Sequence, residues 1–185
     1  MIVCPEGSLF GKIIDMSKIE VRVLGPHDWQ RYKYIRLASL LDSPDSFGST
    51  YTGEAAYPDS EWQSRLDPAA RAKNALPLVA ETDGDAVGLA WGLIHDPDPR
   101  IAHIYQMWVS PAHQGKGVAR TLLDEIRTWA ISRRCERLAL SVTTNNDAAV
   151  GLYLASGFTA SGPLEALRPG SALTVQTMTM ELRSD

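Results

Sequence analysis

Apolar residues recur along the first third of the chain with periods that change from that of a strand to that of a helix. Ile19–Leu24 alternates as a strand. After the turn Gly25-Pro26-His27-Asp28, whose proline favours a helix start, apolar residues recur at helical intervals over Asp28–Leu41. The Ser-, Pro-, Gly- and Asp-rich segment Asp42–Asp59 predicts a loop or a broken helix, and a short helix is predicted over Ser60–Leu66.

The rest of the chain predicts a hairpin and then alternating strands and helices. Two apolar runs, Leu76–Glu81 and Ala86–Ile94, are joined by Thr82-Asp83-Gly84-Asp85, and Asp-Gly is a strong turn signal. The elements predicted next are a strand over Ile101–Val109, a helix from Val118 to about Ser132, a strand over Arg137–Val142, a helix over Ala148–Ser156 that Gly157 ends, and strands over Phe158–Ser161 and Thr174–Leu182. This order predicts an α/β protein with a mixed sheet and helices on both faces.

Composition narrows the class of protein. The 185 residues are 44% hydrophobic and 22% charged, as in average globular domains. We expect residues 1–17 to be an N-terminal extension, either a start-site artefact or a flexible arm, and residues 18–185 to be one domain. The net charge of −4 argues against a nucleic-acid partner. No apolar run reaches the roughly 20 residues of a membrane span and no secretory signal is evident, so we expect no membrane partner and a cytoplasmic protein.

Two further observations concern cofactors. Cys4 and Cys135 are the two cysteines, and no Cys/His cluster has metal-ligand spacing, so no metal is expected. In contrast, Gly115-Lys116-Gly117 opens a predicted helix directly after a strand, and free helix amides together with a lysine favour an anion there. A Walker loop needs Ser or Thr after Lys116, and a dinucleotide fingerprint needs Gly or Ala in place of Arg120. An ordinary strand-to-helix turn is the remaining alternative.

Two motifs resemble those of one enzyme family. The pattern Gln114-x-x-Gly117-x-Ala119 is similar to the pyrophosphate signature of the GCN5-related N-acetyltransferases, the GNAT superfamily. The run Asn146–Phe158 resembles the later family motif Asn-x-x-Ala-x-x-Leu-Tyr-x-x-x-Gly-Phe. Leu37–Pro44, Phe47-Gly48 and Glu54 also look like bacterial members. The resemblance implies a mostly antiparallel sheet of six to seven strands, splayed at strands 4 and 5, with about four helices on both faces.

The same resemblance implies an enzyme that transfers the acetyl group of acetyl-CoA, as cosubstrate, to an amine by direct attack in a ternary complex. The strand edge would pair with pantetheine and supply a backbone N–H for the developing oxyanion; its residues here are Met107, Trp108 and Val109. The residues that the family motif places around the pyrophosphate are Gln114, Gly115, Lys116, Gly117, Val118 and Ala119. Asn146 would contact the cofactor on the other side of the splay.

Two residues are candidates for proton transfer. Tyr153 matches the family's general acid, and the alternative is a half-buried aromatic on an amphipathic helix. His103 has the spacing before the Gln114 motif at which some members carry a catalytic Glu, and a neutral imidazole accepts a proton at neutral pH; the alternative is a polar strand residue near solvent. The two-residue strand period places Tyr105 and Met107 on the face of His103, and Gln106 and Trp108 on the other.

The acceptor is predicted only as a class, a small-molecule or peptide amine. The residues that would attract a cation or supply aromatic walls are Glu54, Asp59, Glu61, Trp29, Trp62 and Trp91, and the alternative for them is solvated acids and core tryptophans. Alternative functions are transfer of another acyl group, transfer to a protein amine, and a catalytically silent acyl-CoA sensor. A homodimer is left open, because dimers are common in the family and no exposed stripe identifies an interface.

Overall fold

A computed structural model describes residues 18–71 and 74–182, so the expected N-terminal extension, residues 1–17, lies outside the described residues. The strands are β1 (Glu20–Val23), β2 (Ala75–Thr82), β3 (Asp85–Ile94), β4 (Ile101–Val109), β5 (Arg137–Thr143), β6 (Thr159–Ala166) and β7 (Thr174–Glu181). The α-helices are α1 (Trp29–Asp42), α2 (Tyr51–Ala55), α3 (Asp59–Arg65), α4 (Pro68–Arg71), α5 (Val118–Ser132) and α6 (Asp147–Ala155). Short 3-10 turns occupy Pro26–Asp28, Pro44–Ser46 and Pro111–His113.

The seven strands form one sheet in the order β1-β2-β3-β4-β5-β7-β6. Every neighbouring pair is antiparallel except β4 and β5, which run parallel and pair at three positions, from Ile101↔Arg137 to His103↔Ala139. Beyond His103 the two strands separate, whereas β5 stays paired with β7 up to Thr143. The predicted mostly antiparallel sheet that splays between its fourth and fifth strands is confirmed.

Helices cover both faces of the sheet, as predicted. On one face, α5 packs against β2, β3 and β4, and the core that it forms includes Tyr153 of α6. On the other face, α1 and α3 enclose a second core around Tyr32, Trp62 and Trp91. None of the helices in the described part of the chain is long and apolar enough to cross a membrane.

The element boundaries differ from the predicted ones mainly where turns carry unusual backbone angles. The β2–β3 turn is confirmed, with positive φ at Asp83 and Gly84, as a two-residue hairpin turn requires. β6 is longer than predicted, because a register shift between Ser161 and Leu164 accommodates Gly162-Pro163 within the strand. The segment between α1 and α3 contains the short helix α2, so it is a broken helix, and α4 was not predicted.

Candidate active site

A cavity of about 820 Å³ opens where β4 and β5 separate. It passes through the splayed sheet, because residues of both cores line it. His103 contributes from β4 and Tyr153 from α6, so the structure brings the two predicted proton-transfer residues to one cavity. The other lining residues come from the segment Ser46–Ser49, from strands β3, β5, β6 and β7, and from helices α1, α2 and α3. A cleft of this size, with mainly apolar walls and a few convergent polar groups, is typical of ligand sites.

The turn before α5 has the backbone geometry of an anion site. Gly115 and Gly117 have φ of 72° and 90°, and a Cβ at either position would meet nothing within 4 Å, so the backbone is open to a ligand. Gly117 is the N-cap of α5, its cap makes no side-chain hydrogen bond, and the first turn holds no acidic residue. The first amides of a 15-residue helix are therefore available to phosphate oxygens.

Side chains around this turn divide into buried anchors and exposed groups. Val118 is buried in the core and Ala119 packs against it, so the start of α5 is anchored to the sheet. Lys116 is exposed. Gln114 is exposed too, and its Nε2 donates to the Val109 carbonyl over 3.2 Å. That hydrogen bond ties the turn to the end of β4.

Asn146 lies across the splay, at the start of α6. Its Oδ1 accepts from the backbone N–H of Ala149 over 3.1 Å, which caps the helix. Its Nδ2 donates to the Ser46 hydroxyl over 3.4 Å. Because Asn146 also lines the cavity, this predicted ligand caps α6 and connects it to the Pro44–Ser46 turn.

A bulge interrupts β4 at the point of separation. The register with β3 shifts between Leu89 and Trp91, so Gln106 and Met107 together oppose one residue, and Gln106 has a φ of 54°. The Tyr32 hydroxyl donates to the Gln106 side-chain oxygen over 3.1 Å, on the α1 side of the sheet.

This bulge overturns the predicted strand faces. Trp108 packs with the α1-side core and Met107 with the α5-side core. Gln106 and Trp108 therefore lie on the face of Tyr105, and Met107 does not, because the extra residue reverses the alternation. Trp108 donates its indole N–H to Asp42 over 2.9 Å. Met107 still lines the cavity, which crosses the sheet there.

Tyr153 is 5% exposed and packs edge-on against Phe158 with ring centroids 5.7 Å apart. Burial raises the pKa of its phenol to about 12, because the charged phenolate is poorly solvated there. Within the described residues its hydroxyl has no hydrogen-bond partner. Tyr153 therefore holds its proton at neutral pH and can give it to a basic leaving group.

Three rings meet on the α1 side of β4. Burial, and then the neighbouring charge of His95, lower the pKa of His103 below its ordinary value, so this imidazole is neutral and able to accept a proton at neutral pH. Burial raises the pKa of Tyr105. No sequence pattern singled out His95, whose exposed ring lies beyond the end of β3. The hairpin register, which pairs Ile94 with Ala102, is the signal that brings it close to His103.

The acids predicted to attract a cationic acceptor are paired with arginine or lysine. Asp59 pairs with Lys33 at 2.7 Å and Glu61 with Arg65 at 3.3 Å. Glu54 is buried, and its carboxylate accepts from Arg36 at 2.7 Å and from Arg65 at 3.3 Å. Burial alone would raise the pKa of Glu54, but hydrogen bonds and the positive charge of both arginines hold it below its ordinary value.

The three tryptophans have different environments. Trp62 is fully buried between Tyr32 and Arg65, so it is a core residue. Trp29 packs against the same core. Trp91 is the tryptophan of this set that lines the cavity, and its ring centroid lies 5.4 Å from that of Tyr32. No group of three or more His, Cys, Asp or Glu residues in the described segments has the arrangement of a metal site.

The model of the acetyltransferase (GNAT) family matches residues 37–158, which is more than half of the chain. The chain belongs to this family. The match includes the bulged β4, the turn before α5, and Tyr153 on α6. The segment of this GNAT protein that matches the family model therefore includes several of the elements that line the cavity.

Known relatives agree with this assignment. Over 88 residues the chain is 33% identical to the mycothiol acetyltransferase of Amycolatopsis mediterranei, a match that covers 44% of this chain and 29% of that protein. The chain therefore spans less than a third of the length of that curated relative.

Solved GNAT structures share the fold. The structure of yncA from Salmonella typhimurium, which holds its cofactor acetyl-CoA, has a TM-score of 0.75 at 20% identity, covering 91% of this chain and 96% of that one. Spermidine N-acetyltransferase from Vibrio cholerae, in complex with CoA and spermine, has a TM-score of 0.72 at 22% identity, covering 90% and 96%. At these identities the likeness concerns the fold alone.

Proposed function

We propose that this GNAT protein is an acetyl-CoA-dependent N-acetyltransferase whose acceptor amine is acetylated by direct attack in a ternary complex. One observation carries the proposal: a single cavity through the splayed sheet is lined by both Tyr153 and His103, and its strand β4 leads into a turn with the geometry of an anion site. A cosubstrate with a pyrophosphate at one end and a thioester at the other fits this arrangement. Its pyrophosphate would bind at the turn before α5, and its thioester would lie between the separated strands β4 and β5.

The residues proposed to hold the cosubstrate follow from the backbone. The amides of Gly115 to Ala119 would bind the pyrophosphate at the start of α5, with Lys116 adding a positive charge. Pantetheine would pair with the free edge of β4 from Met107 to Val109, which β5 leaves unpaired. Gln114 would leave the Val109 carbonyl to reach a phosphate oxygen, and Asn146 would contact the cosubstrate from α6.

The proposed chemistry requires two proton transfers. When bound, acetyl-CoA supplies the electrophilic thioester carbonyl. His103 would take a proton from the acceptor ammonium, directly or through one water, so that a neutral amine can attack. Tyr153 would give its phenolic proton to the departing thiolate, and backbone N–H groups after the bulge would stabilise the developing oxyanion. The high pKa of Tyr153 and the low pKa of His103 match these opposite roles.

The acceptor is proposed to be a small-molecule or peptide amine. Mycothiol acetyltransferase and spermidine N-acetyltransferase, both named among the proteins similar to this chain, act on small molecules. The cavity wall on the α1 side offers the aromatic rings of Trp91, Tyr105 and Phe47, and its buried Glu54 is neutralised by arginines. Because this wall offers aromatic contacts and its Glu54 is neutralised, a small molecule with a single primary amine fits it better than a polycation does.

Calorimetric titration with acetyl-CoA, CoA and ATP tests the proposal, followed by thiol release over a panel of amines that includes amino acids, polyamines and peptides. Saturable binding of acetyl-CoA without ATP binding, and thiol release with at least one amine, are expected. Binding without turnover for any amine would favour an acyl-CoA sensor. No binding of either CoA species would refute the assignment of the turn before α5.

A further inference from the structure

Three rings form a connected cluster between the cavity and solvent. His103 and Tyr105 line the cavity, whereas His95 is exposed at the end of β3. The Nε2 atom of His95 lies 3.0 Å from the Tyr105 hydroxyl, which is a hydrogen bond. The ring centroids of His95 and His103 are 5.2 Å apart, and those of His103 and Tyr105 are 6.2 Å apart in a stacked arrangement.

We propose that the proton that His103 takes from the acceptor ammonium passes to His95 and from there to solvent. His95, which is hydrogen-bonded to Tyr105, thereby keeps His103 neutral between turnovers. This inference rests on the proposed function, because it concerns the fate of the proton that the proposed base accepts. His95 does not line the cavity, so it is a positioning residue that acts through His103.

The proton balance requires such an exit. One proton leaves the ammonium for the His103 imidazole. The thiolate takes a proton from Tyr153, and the second proton, which leaves the nitrogen as the amide forms, restores the Tyr153 phenol. Each turnover therefore releases one net proton, and it must reach solvent before His103 can act again. A centroid separation of 5.2 Å allows one water to bridge a nitrogen of each imidazole, and His95 is the exposed member of the pair.

The exposure of the two rings gives the pair its direction. His103 is partly buried at the cavity, whereas His95 is exposed, so water can take up directly a proton that reaches His95. The register partner of His103 on β5 is Ala139, which is uncharged. The other charged residues of the cavity are Arg36, Glu54 and Arg65, which form ion pairs with one another, and Glu165 on β6.

NMR titration of the histidines in the full chain, combined with pH profiles of kcat/KM, tests the relay. The chain has four histidines, so their signals can be assigned by substitution. In His95→Gln the positive neighbour is gone, so the pKa of His103 should rise by about half a unit or more. The acidic limb of kcat/KM should move to higher pH by the same amount, because more of His103 is protonated at a given pH.

The variants separate a relay from a structural role. His95→Gln and Tyr105→Phe should lower kcat/KM at neutral pH, by less than the roughly 100-fold expected for loss of the base in His103→Gln. His27→Gln, an exposed histidine outside the cavity lining, should change neither the pKa of His103 nor the profile. A structural defect would lower the rate without moving the acidic limb.

Two results would overturn the inference in distinguishable ways. Wild-type protein that turns over no amine would remove the proposed function and the relay together. Active wild-type protein whose His103 pKa and pH profile are the same in His95→Gln would remove the relay and leave the acetyltransferase intact.

Discussion

Burial disfavours the charged form of two ionisable side chains of the site, yet their pKa values shift in opposite directions. Tyr153 has no charged partner among the described residues, so burial favours its neutral form and its pKa rises to about 12. Glu54 is buried as well, yet Arg36 and Arg65 outweigh the loss of hydration and it stays ionised. Tyr153 is therefore suited to donating a proton, and Glu54 to holding α1, α2 and α3 together.

Tyr153→Phe removes the proposed proton donor and keeps the ring that packs on Phe158. We expect kcat to fall by about 100-fold, while the Kd for acetyl-CoA changes little, because the hydroxyl contributes to leaving-group departure more than to binding. Steady-state kinetics and calorimetry measure the two effects. Tyr34→Phe, on an exposed tyrosine of α1, is the control. Unchanged turnover in Tyr153→Phe would remove the assignment.

Glu54→Gln leaves Arg36 and Arg65 without their shared carboxylate. We expect the free energy of unfolding at pH 7 to fall by about 3–5 kcal/mol, because a buried charge loses its partner. Asp59→Asn breaks the exposed pair with Lys33 and should cost about 1 kcal/mol or less. Urea denaturation of both variants measures the difference, and equal losses would contradict the buried role of Glu54.

The same ion pair predicts how stability depends on pH. The pKa of Glu54 in the folded protein lies below its ordinary value of 4.5, so its contribution is complete above that pH. It is lost as the pH falls from 4.5 through the folded-state pKa. The wild type should therefore lose stability more steeply over this range than Glu54→Gln does.

Small residues on β3 allow α5 to approach the sheet closely. A Cβ on Gly92 would lie 2.8 Å from the Trp129 ring, and one on Gly88 would lie 3.0 Å from Val118. Both glycines are buried beneath α5, whose first turn is the proposed pyrophosphate site. Close helix–sheet contact thus fixes the position of that turn relative to the splayed end of β4.

Gly92→Ala should destabilise the protein by about 1–3 kcal/mol, because the added methyl group forces the Trp129 ring to move. The loss should shrink when Trp129→Leu is combined with it, since the shorter side chain vacates the space. Gly151→Ala is the control: nothing lies within 4 Å of its Cβ, and alanine should stabilise α6 by up to about 1 kcal/mol. Thermal or urea unfolding of these variants and of Trp129→Leu alone checks this. A loss in the double variant equal to the sum of the two single losses would contradict the packing argument.

The whole sheet consists of two parts that are joined weakly. Strands β1 to β4 and β5 to β7 are each continuous antiparallel units, and they meet through three paired positions of β4 and β5. The Arg168 side chain adds a connection, because it donates to the carbonyls of Pro44 and Phe47, in the segment that follows α1. A ligand in the splay would contact both parts and stabilise the fold as a whole.

Acetyl-CoA at 100 times its Kd should therefore stabilise the folded state by about 2.7 kcal/mol, which corresponds to a rise in Tm of roughly 5–10 °C for a domain of this size. Thermal unfolding with acetyl-CoA and with ATP at the same concentration tests this. A rise with ATP as large as the rise with acetyl-CoA would indicate a general anion effect at the turn.

Much of the fold could be predicted from the sequence because its elements depend on local patterns. The predicted limits of β4 and α5 agree with the structure at both ends, since strong periodicity and the glycine turn mark them. The two motifs also led to Tyr153 and His103, which both line one cavity, and to the turn before α5, which follows the cavity-lining strand β4 along the chain. Their roles remain proposals that the variants above test.

What the sequence determined by itself is the order of elements, the family, and the residue types able to bind a phosphate or carry a proton, because these depend on spacing along the chain. The tertiary structure decided the bulge at Gln106, the burial of Glu54 between two arginines, and the approach of His95 to His103. Each of these depends on contacts between residues far apart in the chain or on neighbouring strands. Such contacts form only when the sheet assembles, so no local pattern records them.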